Sequence, residues 1–244
     1  MVRNFNVVKS SPQREQRKAA LREQILAAAR ALFVSRGYEA VTMRQIAERI
    51  GYTATALYYH FPDKAALLHE LCRRDFLALQ SFFQRLAQVR DPVERLRQAG
   101  QAYVRFGLEH PQHYQFMFII PYPEPAPHEV GITQGDPSQD SYAFLRQAVE
   151  EAIRAGRFLP AYRDAEQVAQ MLWAAMHGLV ALHLNCSRSR WLAWRPTKQT
   201  AALMAETMLR GMLRKPPASR STPPHAATPS HRRRTAGRKA HEKT

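Results

Sequence analysis

The sequence predicts an all-α fold, and three kinds of observation support that prediction. Apolar residues recur every three or four positions in successive stretches of the chain, as on one face of a helix. Capping side chains stand before these stretches, and at Thr42 and Asp164 a glutamine follows three residues later, the spacing of a capping box. Gly37, Gly51 and Gly156 close three of them, where a left-handed backbone is least strained without a Cβ.

Taken in order along the chain, these signals predict a series of helices joined by mostly short turns. The predicted ranges are about 16–36, 42–50, 53–59, 62–87, a helix from 92, a short one from 111, and then 141–155, 164–185 and 196–213. Pro62 suits the first turn of its helix. Residues 121–137 contain five prolines and two glycines, which predicts a loop that is long for a compact domain. The 164–185 helix is apolar on most sides and is expected to be buried.

The stretch from Thr42 to Lys64 organises the rest of the chain. Its first helix ends at Gly51, and Thr53 opens a second short helix that buries Leu57. Two helices joined by a turn of three or four residues with a glycine form a helix-turn-helix, a unit that places its second helix in the major groove of DNA. An ordinary helical hairpin with solvated polar residues has the same periodicity, so the spacing alone leaves both interpretations open.

The exposed side of the second helix carries groups that suit DNA. Hydroxyls and lysine suit phosphate oxygens, and Ala54 and the Thr55 methyl group are small enough to approach a thymine methyl. Tyr59 is expected to project from the end of this helix, away from Leu57. The predicted DNA-binding residues are Thr42, Arg44, Thr53, Ala54, Thr55, Tyr58, Tyr59, His60 and Lys64.

These residues resemble the DNA-binding signature of the TetR family of transcriptional regulators. The pattern T-x-x-x-I-A-x-x-x-G begins at Thr42, and T-A-L-Y-Y-H-F-x-D-K-x-x-L-L begins at Thr55. So many matches at fixed spacing are far more specific than a lone glycine motif. The resemblance spans roughly Leu21 to Leu71 and is looser elsewhere, although Trp173, His177 and Gly178 also fit the W-x-x-x-H-G pattern of one subgroup of C-terminal domains.

The resemblance implies a domain organisation and a mechanism. A three-helix DNA-binding domain would cover 16–61, and a helical ligand-binding and dimerisation domain would cover 62–214. The last two long helices would form a four-helix bundle with those of a second subunit. The expected function is that of a homodimeric repressor, which leaves its double-stranded DNA operator when a small-molecule effector binds the second domain.

Aromatic residues and methionines are dense between 103 and 118, and mostly apolar linings are typical of small-molecule sites. The predicted effector-pocket residues are Tyr103, Phe106, His110, Tyr114, Met117, Trp173 and His177. Trp173 and His177 lie four apart, hence on one helix face. They form either a pocket wall with a histidine anchor or ordinary core packing, with His177 hydrogen-bonded across the bundle.

Composition and charge narrow the class of protein further. The net charge is +16, of which residues 1–20 carry +4 and residues 215–244 carry +7, leaving +5 for the body of the chain. We therefore expect a basic disordered arm at 1–15 and a basic disordered tail at 215–244, both suited to polyanions. Two cysteines without close spacing exclude a disulfide framework and a CxxC metal site, and they fit a reducing cytosol.

Other features of the sequence argue against further classes of function. No phosphate loop, Ser-His-Asp order or paired catalytic carboxylates stand out, so we predict no enzyme activity, no cofactor and no metal. The N-terminus lacks a signal-peptide core, and the most apolar run is too short to span a membrane, so a cytoplasmic, nucleoid-associated protein is expected. An architectural DNA-binding protein without an effector, bound mainly through its basic tail, remains the alternative.

Overall fold

A computed structural model describes residues 11–121 and 131–214, and these residues form nine α-helices and one short 3₁₀ helix at 85–88. The helices are α1 (Pro12–Arg36), α2 (Met43–Arg49), α3 (Ala54–Tyr58), α4 (Lys64–Gln84), α5 (Pro92–Glu109), α6 (Pro111–Phe118), α7 (Ser141–Arg154), α8 (Ala165–Cys186) and α9 (Thr197–Met212). An isolated β-bridge joins Phe158 to Leu213. The predicted all-α fold is confirmed.

Local capping sets the geometry of the helix-turn-helix. The Gln45 backbone N–H donates to the Thr42 hydroxyl at 3.2 Å, and the Thr42 N–H donates to the Gln45 side chain at 2.9 Å, so the predicted capping box is complete. Gly51 adopts a φ of +74° after α2. The Thr53 hydroxyl then accepts from the Ala56 N–H at 3.3 Å and starts α3. These contacts fix the turn that directs α3 away from α2.

One apolar cluster holds the first four helices together. Its fully buried members include Ile25 of α1, Ile46 of α2, Leu57 of α3 and Leu67 of α4. Phe116 of α6 belongs to the same cluster. The helix-turn-helix unit is therefore continuous in packing with the helices that follow it.

The structure corrects two predicted helix starts and one predicted end. Ser11 caps α1 and Pro12 is its first residue, so the helix begins four residues before the predicted start at 16. The predicted arm at 1–15 is thus helical from residue 12, and residues 1–10 lie outside the described part. Pro62 precedes the cap of α4 instead of opening the helix, because the Asp63 carboxylate accepts from the Ala66 N–H. Helix α4 ends at Gln84, before the 3₁₀ turn.

The remaining helices surround α5, which contacts α4, α6, α7, α8 and α9. Helix α8 is buried along one face only within a single chain. Met171 is 40% exposed and Leu182 is 53% exposed, and on α9 Leu203 is 64% exposed. Within one chain, α8 packs on α5, α7 and α9 along one face and leaves apolar side chains on the other.

Two further predictions concern regions that the structure leaves out in whole or in part. The predicted basic tail, 215–244, lies outside the described residues, as do residues 122–130 of the predicted proline-rich loop. The described residues 131–137 of that loop, and 138–140 after them, contain turns and no helix. No helix within 11–121 or 131–214 has both the length and the apolar character that a membrane span needs.

Candidate DNA-binding and effector sites

The outward face of α3 presents polar and aromatic side chains to solvent. Leu57 is fully buried and anchors the short helix, so its neighbours are turned outward. Tyr58 is 52% exposed and Tyr59 is 69% exposed. Thr53 and Thr55 are exposed, and Ala54 is half-buried beside them. Hydroxyl groups and small apolar groups therefore share one surface, and these are the kinds of group that suit phosphates and base edges.

Two of the predicted basic contacts already have partners within the protein. Arg44 on α2 lies 2.8 Å from the Glu48 carboxylate, and both side chains are well exposed. The Lys64 ammonium group donates to the Tyr38 carbonyl at 2.9 Å and stands 4.1 Å from the centre of the Tyr38 ring. Lys64 therefore ties the start of α4 to the turn after α1 and keeps its other N–H groups for an outside acceptor.

Helix α1 adds basic residues to this surface that the sequence reading missed. Arg14, Arg17 and Lys18 are exposed on its first turns, and the Lys18 ammonium group lies 5.1 Å from the centre of the Tyr59 ring. The sequence pattern that could have predicted them is their spacing of three and four residues, because residues so spaced share a helix face. The prediction of a disordered arm up to residue 15 hid that pattern.

His60, at the end of the α3 segment, is held in a positive environment. The Arg22 guanidinium group donates to the His60 carbonyl at 3.2 Å and lies 4.2 Å from the centre of the Phe61 ring. Burial lowers the pKa of His60, and the charges of Lys18 and Arg22 lower it further. His60 is therefore neutral near pH 7 and offers a hydrogen bond without a charge.

A cavity of about 550 Å³ lies among the helices that follow the helix-turn-helix. Its walls come from α4, α5, α6, α7, α8 and α9 and from the 131–140 turns, and they are mostly apolar. Tyr103, Met117 and Trp173 of the predicted pocket line this cavity. The wall residues that the sequence reading missed include Phe76, Leu79 and Phe83 of α4, Ser141 and Phe144 of α7, and Leu209 of α9.

The other four predicted pocket residues do not line this cavity. Phe106 is fully buried and packs edge-on against Phe82, with ring centres 5.4 Å apart. His110 packs on Phe82 and Phe106. Tyr114 and His177 pair with each other behind the wall, with ring centres 5.6 Å apart. The helical spacing in the sequence predicted that these residues lie near one another. It did not show which faces of their helices border the cavity.

A chain of hydrogen bonds connects the cavity wall to His177. The Trp173 indole N–H donates to the Tyr103 hydroxyl at 3.1 Å, which donates to the Tyr114 hydroxyl at 3.1 Å, and that group donates to His177 Nδ1 at 2.7 Å. Burial lowers the pKa of His177 and raises the pKa of Tyr103 to about 12. All four groups are therefore neutral near pH 7. His177 is hydrogen-bonded across the bundle, as in the second of the two predicted interpretations.

A buried ionic cluster links the helix-turn-helix unit to the cavity helices. Asp75 of α4 is 1% exposed and receives two hydrogen bonds from the Arg30 guanidinium group of α1. His113 Nδ1 of α6 lies 2.9 Å from the same carboxylate. The Arg30 group also stands 5.4 Å from the centre of the Phe116 ring on α6. Helix α6 also supplies Met117 and Phe118 to the cavity wall, so this one helix borders both the cavity and the ionic cluster around Asp75.

Metal binding has no support within 11–121 and 131–214. No three histidine, cysteine, aspartate or glutamate side chains in these residues are grouped so that they could hold an ion. His110 and His113 are close, with ring centres 5.5 Å apart, but His113 is engaged with Asp75.

The fold and this surface define a helical protein with an N-terminal helix-turn-helix, and comparison with known proteins places it in a family. A family model described as "Bacterial regulatory proteins, tetR family" matches residues 25–71, and one described as "Tetracyclin repressor-like, C-terminal domain" matches residues 96–208. The chain belongs to the TetR family. These matches do not test the W-x-x-x-H-G subgroup pattern, which stays a prediction.

Individual relatives are similar over less than half of the chain. The chain is 38% identical over 98 residues to the HTH-type transcriptional activator FasR of Mycolicibacterium smegmatis, covering 40% of this chain and 45% of the relative. It is 34% identical over 90 residues to the HTH-type transcriptional repressor KstR2 of the same species, and the match covers 35% of this chain and 42% of the relative. The chain thus spans less than half the length of these curated relatives. They are transcription regulators and not enzymes.

Solved structures share the fold over most of their length. The ketosteroid transcriptional regulator KstR2 of Mycobacterium tuberculosis superposes with a TM-score of 0.60 at 20% identity, covering 80% of this chain and 95% of that one. At that identity the likeness shows the fold alone.

Proposed function

We propose that the protein is a homodimeric, sequence-specific DNA-binding regulator whose affinity for its operator changes when a small molecule occupies the cavity. The exposed polar face of α3, anchored by buried Leu57, is the observation that carries the proposal. The basic residues on the first turns of α1 lie beside it and suit the phosphate backbone. In this proposal α3 is the recognition helix that contacts base edges, and the basic residues of α1 position it by contacting phosphates.

The exposed apolar side chains of α8 and α9 support the dimer. Met171, Leu182 and Leu203 are large apolar side chains exposed to solvent within one chain. Contiguous apolar patches on soluble proteins mark sites of association, and a twofold symmetric contact uses the same patch on both subunits. A dimer also supplies the two recognition helices that operators with paired half-sites require, about 34–36 Å or a multiple apart.

The cavity and the ionic cluster around Asp75 support control by a small molecule. A ligand shifts the DNA-binding equilibrium only if it binds the two arrangements of the protein with different affinity. Helix α6 borders the cavity through Met117 and reaches Asp75 through His113, so a change in its position alters contacts with α1. We infer repression released by the ligand, since most named relatives are called repressors.

Selection of bound sequences from a random DNA pool, using the full chain, tests this proposal. We expect enrichment of a sequence with twofold symmetry, and loss of that enrichment in a Tyr59→Ala variant. A Tyr52→Ala variant serves as a matched control, because Tyr52 is an exposed tyrosine in the turn before α3. Failure to enrich any sequence, with binding to all duplexes alike, would contradict the regulator and support an architectural DNA-binding protein.

A further inference from the structure

The polar atoms of the cavity wall limit the chemistry of its ligand. Its charged side chains among the described residues are Asp140 and Arg146. The Asp140 carboxylate accepts three backbone N–H groups, from Gly135, Tyr142 and Ala143. Arg146 is paired with Glu150 in the next turn of α7. Both charges are satisfied by the protein, so the described wall holds no charge without a partner for an ionised ligand.

The two tyrosine hydroxyls of the wall residues are also occupied. The Tyr142 hydroxyl donates to the Glu166 carboxylate. Tyr103 accepts from Trp173 and donates into the chain that ends at His177. Breaking that chain would leave buried donors and acceptors unpaired, each at a cost comparable to a lost hydrogen bond. Tyr103 and Trp173 therefore offer the cavity mainly their ring surfaces.

One buried polar side-chain atom among the wall residues has no partner. Among the described residues, three side-chain nitrogen or oxygen atoms are buried without a hydrogen bond, and of these Ser141 Oγ alone belongs to a residue of the cavity wall. A buried hydroxyl without a partner is unfavourable. A hydroxyl can donate one hydrogen bond and accept others, so it matches a ligand alcohol, ketone or ester.

We propose that the cavity binds an uncharged, mainly hydrocarbon molecule with one hydroxyl, ketone or ester oxygen that hydrogen-bonds to Ser141. This inference rests on the proposed function, in which the cavity is the effector site. The large apolar wall favours the hydrocarbon body by burial. A carboxylate or ammonium group in the same position would lose water without gaining an opposite charge.

Calorimetric titration of the full chain with molecules of one chain length tests the proposed class. Decan-1-ol and methyl decanoate are the uncharged probes, and decanoate and decylammonium are the charged ones. We expect the uncharged probes to bind at least about tenfold more tightly, because each charged head group would be desolvated without a partner. Equal or tighter binding of decanoate would overturn the proposal.

A Ser141→Ala variant tests the hydrogen bond. It should weaken decan-1-ol binding by about 2- to 13-fold, the range of one net hydrogen bond. Naphthalene, an apolar probe without oxygen, should bind the wild type and the variant alike, which shows that the cavity is intact. Ser81→Ala, at an exposed serine outside the wall, is the matched control. Unchanged decan-1-ol binding in Ser141→Ala would overturn the assigned anchor.

The experiments distinguish failure of the proposed DNA-binding function from failure of the proposed ligand class. Specific DNA binding is measured without any probe, so its absence would refute the regulator whatever the cavity binds. If specific DNA binding is present but no uncharged probe binds up to its solubility limit, the ligand class is wrong and the regulator stands.

Discussion

Removing the Asp75 carboxylate should destabilise the protein severely, because it leaves a buried guanidinium group without its counter-charge. Arg30 is 9% exposed, and Asp75 receives both of the guanidinium hydrogen bonds described for it. Removing one partner of a buried ion pair costs about 3–5 kcal/mol. We therefore expect Asp75→Ala to lower the free energy of unfolding by about that amount, a large share of the total stability of a typical protein.

Two control variants separate this effect from a general loss of side-chain contacts. Glu48→Ala breaks the exposed pair with Arg44 and should cost no more than about 0.5 kcal/mol, as surface pairs within one helix do. The double variant Arg30→Met with Asp75→Ala removes both charges and should recover much of the lost stability, because apolar replacements of a buried pair are often tolerated.

Urea denaturation at one fixed protein concentration measures these differences, because the stability of a dimer depends on concentration. The predicted order is wild type and Glu48→Ala together, then the double variant, then Asp75→Ala. If Asp75→Ala unfolded within about 1 kcal/mol of Glu48→Ala, the buried ion pair would not have the energetic role given to it here.

Three further outcomes follow from particular contacts. Burial alone would raise the pKa of Glu70, but its hydrogen bonds to Arg73 and Arg74 hold the pKa at about 2, below the ordinary value of 4.5. Its stabilising effect should therefore be present above pH 4.5 and disappear as the pH falls towards 2, and a Glu70→Gln variant should show a shallower loss of unfolding free energy over that interval in acid titrations. Arg17→Ala with Lys18→Ala removes four basic residues from the proposed dimer, so it should reduce the slope of log K against log salt by about 3.6 on every DNA sequence, at about 0.9 per phosphate contact. Leu203→Glu should convert a dimer into a species near 28.0 kDa in sedimentation, whereas an unchanged mass would place the dimer contact elsewhere.

The sequence predicted those features that depend on neighbouring residues. The capping box at Thr42, the left-handed Gly51 and the cap at Thr53 each involve groups within a few positions, so the helix-turn-helix follows from local rules. The start of α1 was missed although Ser11 and Pro12 form a good helix start, because the positive charge of the segment was read as disorder.

The missed parts of the candidate site depend on contacts between distant residues. Asp75 looks like a solvated residue of an amphipathic helix, and its burial follows from Arg30, 45 positions away, and His113, 38 positions away. Phe83 and Leu209 look like ordinary core residues, because only the packed helices leave a cavity between them. For α8 the sequence predicted apolar surface in excess of what one chain buries, but which side chains stay exposed depends on the packed helices.

Titration of operator and scrambled DNA by fluorescence anisotropy, with the wild type and Tyr59→Ala, tests the central claim most directly. The operator would be the sequence selected from the random pool. The wild type should bind it at least about 10³-fold more tightly than scrambled DNA, and Tyr59→Ala should lose about 1–3 kcal/mol on the operator alone. Equal binding of both duplexes by the wild type, or equal weakening of both in Tyr59→Ala, would contradict sequence reading by α3.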